Sequence, residues 1–126
     1  MTLAHEANKL AHEANKLAQM AQDGTASAPN IERLAVLTRR FCFMRCVAFA
    51  RVSLVRWDDV DDATQLAAIK CMGRLGKWDG GAASWSTFCG MVTATVIKDQ
   101  KRERMRQSEK RRRLAEMETN AIKRGD

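Results

Sequence analysis

At 126 residues, 45% hydrophobic and 29% charged, the chain has material for one compact domain with some residues left over for a tail. Its net charge of +7 is concentrated between Lys98 and Arg113, where nine basic residues face three acids. So dense a patch points to a polyanion, most often nucleic acid; a membrane surface is excluded as partner, because after Ile97 only Met105, Leu114, Met117 and Ile122 are sizeable apolar residues.

In chain order, residues 3–16 come first, a perfect duplication of "LAHEANK" continued by "LAQMAQ". Leu3, Ala7, Leu10, Ala14, Leu17 and Ala21 step by four and three, which predicts a helix with a narrow seam and possible self-association through residues 3–21. Glu6 with Lys9 and Glu13 with Lys16 add i, i+3 pairs. With Ala at every second seam position little area is buried, so this helix is expected to be solvated or loosely docked, an N-terminal unit over residues 1–22. His5 and His12 read as exposed helix residues, not ligands. "DGTASAPN", residues 23–30, holds the chain's only proline and reads as a linker.

From Ile31 a long amphipathic helix is predicted, with Leu34, Leu37, Phe41, Met44, Ala48, Val52 and Val55 as its apolar stripe. "WDDVDD" interrupts it and supplies aspartates for the start of the next helix, whose apolar positions are Leu66, Ile69, Met72 or Gly73, and Leu75. Gly80-Gly81 ends that helix, and Ser84 or Ser86 caps the last one. The last helix carries Phe88, Met91, Val92, Thr95 and Val96 on its early turns and is charged all round thereafter. With no alternating strand pattern and no hairpin signal, the fold class is all-α, a small helical bundle with an extended basic C-terminal helix.

The longest apolar stretch, "FCFMRCVAFARVSLV", is broken by Arg45 and Arg51, so no spanning helix or signal peptide is expected and a cytoplasmic protein is predicted. Cys42, Cys46, Cys71 and Cys89 lack the tight paired spacing of a zinc knuckle. Cys42 and Cys46 share a helix face, which leaves a zinc site completed by the other two conceivable, but the four read as reduced thiols acting as small core residues, with no metal and no cofactor. No phosphate-cradling glycine motif, no nucleophile elbow and no histidine outside the repeat is present. Asp58, Asp59, Asp61 and Asp62 diverge around a helix start and make a poor cation cage. A catalytic role is not expected.

The ordered features of residues 61–104 resemble region 2 of the bacterial sigma-70 family, subunits that direct RNA polymerase to promoters. They are an acidic pair followed by Gln (Asp61, Asp62, Gln65), an apolar helix and a basic-aromatic-acidic turn (Lys77-Trp78-Asp79). A glycine loop, the helix start Trp85-Ser86-Thr87-Phe88, and Ile97-Lys98-Asp99 running into arginines complete the set. With the helix from Ile31 the likeness spans residues 31–106, followed by a basic helical tail over 107–126. The resemblance implies that Asp61, Asp62 and Gln65 bind the clamp coiled coil on the largest subunit of RNA polymerase core. It also implies that Trp85 and Phe88 capture flipped bases of the non-template strand near the minus-ten element, with Thr95 and Lys98 at promoter-reading positions. Trp85 is accordingly expected at least partly exposed, beside a glycine-loosened loop, while Trp78 is expected in the core.

Phosphate contacts are expected from Lys98, Lys101, Arg102, Arg106, Lys110 and Arg113; all but Lys101 step by four, four, four and three along one slowly turning helix face. The chain departs from the family at Leu66, where an acid is usual, and at Met91 and Val92, where primary factors carry a Trp pair. Nothing after residue 106 resembles the helix-turn-helix of region 4, so a short sigma-like protein is expected. Two other functions fit the same residues: a DNA-binding helical module of a phage or mobile element with no polymerase partner, and an oligomerising adaptor driven by the N-terminal heptads.

Overall fold

The computed structural model describes residues 2–125 and holds four α-helices, with no strand among the described residues. They are α1 (Leu3–Gln22), α2 (Ala28–Arg51), α3 (Val60–Gly73) and α4 (Trp85–Lys123). Single 3₁₀ turns precede α3 (Trp57–Asp59) and follow it (Leu75–Lys77). Caps set the starts: Thr2, Ser27 and Ser84 each accept a hydrogen bond from a backbone N–H three residues on, and Pro29 sits in the first turn of α2. Asp59 makes no such side-chain bond; Asp61 and Asp62 instead place negative charge in the first turn of α3.

Two helix ends share one geometry. At the end of α1, Gly24 has φ +77°, Thr25 N–H reaches Met20 C=O and Gly24 N–H reaches Ala21 C=O. At the end of α2, Leu54 N–H reaches Phe49 C=O and Ser53 N–H reaches Ala50 C=O, but the left-handed position is held by Ser53, φ 61°. The helix stops at Arg51 and does not run on through Val52 to Val55 as expected.

The core is built from small residues. Along α2 the buried positions are Leu34, Leu37, Thr38, Cys42, Cys46 and Ala50; along α3 they are Val60, Ala63, Thr64, Ala67 and Cys71. The stripes expected from residue size are therefore only partly inside: Phe41, Val55, Met72 and Leu75 pack on the core, while Met44, Ala48 and Val52 of the first stripe and Leu66 and Ile69 of the second turn outward. Met44, Val52 and Ile69 are each more than half exposed, and Leu66 is exposed as well. Small side chains allow α2, α3 and α4 to approach closely, which large ones at the same positions would prevent.

α1 is part of this bundle rather than a unit apart. Ala14 and Ala18 are fully buried, and Leu10, Leu17 and Ala21 pack beside them. Asn15 Oδ1 accepts from the Trp85 backbone N–H at 3.0 Å, so a side chain of α1 satisfies an open donor at the start of α4. Gln22 Nε2 donates to Leu75 C=O and Trp78 C=O, and Arg33 bridges to Glu13 at 2.8 Å. The seam of the second repeat thus faces its own bundle and is not open to another copy. The first repeat, identical in sequence, is exposed from Leu3 to Lys9.

Candidate functional site

The expected base-capturing pair lies elsewhere than the resemblance implied. Trp85 is fully buried: its Nε1–H donates to Thr38 Oγ1 at 2.8 Å, and its ring meets Trp78 edge-on at 5.4 Å and stacks on Phe88 at 5.3 Å. Thr38 Oγ1 in turn donates to Met72 Sδ, so one polar chain links α4, α2 and α3. Phe88 is half-buried against the same cluster. Trp85 cannot present a face to an unpaired base without opening the bundle, and Phe88 already has one face stacked on Trp85.

The glycine pair serves packing, not looseness. A Cβ at Gly80 would stand 3.0 Å from Gln19 Oε1 and 3.2 Å from the Trp78 ring. Trp78 Nε1–H donates to Ala83 C=O, and Asp79 Oδ1 accepts from Gly81 N–H. The loop from Asp79 to Ala83 is closed over Trp78, which is buried as expected.

α4 changes character at Lys98. Trp85, Cys89, Val92, Thr93, Val96 and Ile97 are buried, and no described residue from Lys98 onward is. The remaining 26 residues of the helix extend about 39 Å beyond that point. Of the expected phosphate contacts, Lys98, Lys101, Arg102 and Lys110 are exposed and form no ion pair among the described residues, and Arg111 joins them. Arg106 pairs with Glu103, and Arg113 with Glu109 at 3.4 Å, so two members of the expected stripe are partly spent on their own helix. Arg112 also binds Glu109, which holds the carboxyl below the usual carboxylate range. Arg104 bridges to Asp59, tying the root of the free segment to the turn before α3.

A groove that residue types alone did not reveal runs up to this segment. Phe41, Met44, Arg45 and Ala48 of α2 form one wall, and Ser86, Thr87, Gly90, Met91 and Ala94 of α4 form the other, around a volume of about 560 Å³. Thr87, Met91, Ala94, Lys98 and Lys101 fall on one face of α4, so the groove floor continues into free cations. Arg45 lies over the Phe49 ring at 5.2 Å and passes beside Gly90. Thr95 is exposed next to this face, its hydroxyl donating to Met91 C=O. The outward rotation of Met44 and Ala48 could have been found in the sequence from the competing small-residue stripe Thr38, Cys42, Cys46, Ala50.

The second expected surface is open. Asp61, Asp62 and Gln65 are exposed and make no hydrogen bond or ion pair among the described residues. With Leu66 and Ile69 they share the outward face of α3, where Ala35, Arg39, Gln65, Ala68, Ile69 and Met72 line a shallow depression of about 370 Å³. Among the described residues no helix is long and apolar enough to cross a membrane. Comparison with known proteins finds no matching family model, no matching curated protein and no matching solved structure.

Proposed function

We propose that this chain is a sigma region 2-like factor that binds RNA polymerase core through the outward face of α3 and DNA through α4, with no catalytic role of its own. The observation that carries the reading is that α4 outruns its core: no described residue after Ile97 is buried, and past the Arg104–Asp59 bridge the helix continues largely exposed and rich in cations. A helix with no core to cover and five unpaired cations is suited to phosphates, and it is continuous with a groove of apolar and hydroxyl groups. In this reading the unpaired strand lies along Thr87, Met91, Ala94 and Lys98. Met44, Met91 and the half-buried Phe41 supply the apolar contact that Trp85 cannot. Strand opening draws its free energy from contacts made only by the opened form, a differential-binding argument.

For the polymerase half, the support is an acidic, amide and apolar set, Asp61, Asp62, Gln65, Leu66 and Ile69, left without partners on one helix face. Exposed apolar residues rimmed by polar ones mark a docking surface. The test is retention of the full chain on immobilised polymerase core. Retention that disappears in the Asp62→Ala, Gln65→Ala double variant supports the reading. No retention at any salt concentration reduces the protein to a DNA-binding helical module. An adaptor assembled through the heptads is disfavoured, because Leu10, Ala14, Leu17 and Ala21 face the bundle.

A further inference from the structure

Three helices each bring one cysteine to the same point in the core. Cys42 of α2, Cys71 of α3 and Cys89 of α4 are fully buried, their Sγ atoms all lie within 4.8 Å of one another, and Cys42 and Cys71 are 3.9 Å apart. Cys46, which shares a helix face with Cys42, belongs instead to the second core cluster with Ala50, Val60 and Ile97. The trio therefore depends on tertiary packing: the sequence allowed a site of all four cysteines, and the fold gathers three and sets Cys46 apart. A tetrahedral ion bonded to sulfur at about 2.3 Å holds sulfurs about 3.8 Å apart, and a pyramidal trivalent ion holds them a few tenths of an ångström closer, so sulfurs that start 3.9 Å apart at Cys42 and Cys71 need only draw together slightly to bind one.

Charge and ligand number narrow the class of ion. No histidine or carboxylate joins the three sulfurs among the described residues, and the thiols share their core cluster with Leu37, Ala67, Trp85 and Val92. Structural zinc takes four protein ligands, and three thiolates around a divalent ion would leave a net negative charge in apolar surroundings. A trivalent thiophilic ion matches both conditions, because three thiolates neutralise it and its lone pair occupies the fourth direction.

We propose that Cys42, Cys71 and Cys89 form a binding site for one trivalent ion of the arsenite class, held by three sulfurs. Arsenous acid exchanges its three hydroxyl groups for the three thiols: three As–O and three S–H bonds break, three As–S bonds form and three waters leave. Arsenic stays trivalent and no electron is transferred. Because the ligands come from α2, α3 and α4, the ion binds the folded chain in preference to the unfolded one and raises its thermal midpoint.

The reduced full-length chain would be exposed to arsenite both folded and during refolding from urea, desalted, and weighed by native mass spectrometry. The expected product is one adduct per chain with the mass of arsenic less three hydrogens, a raised melting midpoint, and the same adduct in Cys46→Ala. An adduct that retains a hydroxyl reports only two sulfurs and overturns the proposal. So does the absence of an adduct, or preferential uptake of zinc in direct competition. Cys89→Ala is expected to convert the product to the two-sulfur form; should that variant fail to fold, the adduct mass of the parent chain still decides.

Discussion

Trp85 is fully buried at the start of α4, where its ring packs against Trp78 and Phe88. An indole at a helix start beside a cationic segment is what a base-stacking site uses, yet here the indole N–H is the donor that satisfies the buried Thr38 hydroxyl. Trp85→Phe removes that donor and part of the ring packing, and is expected to cost about 1–3 kcal/mol in urea unfolding. DNA affinity measured where the variant is fully folded should change less than twofold; a tenfold loss there would return the ring to the binding surface. Ser53 is a second instructive position, a non-glycine at φ 61° in a motif that α1 closes with Gly24. Ser53→Gly relieves the left-handed penalty and is expected to raise stability by about 0.5–1 kcal/mol, read from the urea midpoint.

The two copies of "LAHEANK" in α1 make the same point at the scale of an element. The second copy supplies Ala14 to the core, Asn15 to the first turn of α4 and Glu13 to Arg33, while the first copy touches solvent. Deleting residues 3–9 joins Thr2 to Leu10 and rebuilds the same cap ahead of an identical heptad. Stability is expected to stay within about 0.5 kcal/mol of the full chain, whereas removal of residues 1–22 strips the core contacts and should lower the urea midpoint clearly. In α4 the relevant quantity is the number of free cations. With Lys98, Lys101, Arg102, Lys110 and Arg111 all engaged, the logarithm of duplex affinity should fall with the logarithm of salt at a slope of about −4 to −5. Replacing the five by Gln should bring the slope close to zero. A parent slope near −1 would remove this segment from the account of DNA binding.

For the whole molecule the proposed function predicts two separable activities. The open face of α3 and the free cations of α4 belong to different helices and share no residue, so the Asp62→Ala, Gln65→Ala variant should keep its DNA salt slope while losing polymerase. The five-Gln variant should do the reverse. Loss of both functions from either variant, with the fold intact by circular dichroism, would contradict independent faces. The all-α class, a serine cap on α4 and the location of the positive charge were legible in the sequence, because each depends on local periodicity, local hydrogen bonding or simple counting; the burial of Trp78 was expected only from the family resemblance. The orientation of α2 and α3, the docking of α1, the burial of Trp85 and the meeting of Cys42, Cys71 and Cys89 were decided only by the tertiary structure. Which face of a helix goes inward is set by how closely its neighbours can approach. In this bundle the tightest approach selects Ala, Cys and Thr for the inside and leaves Met44, Met91, Leu66 and Ile69 facing out.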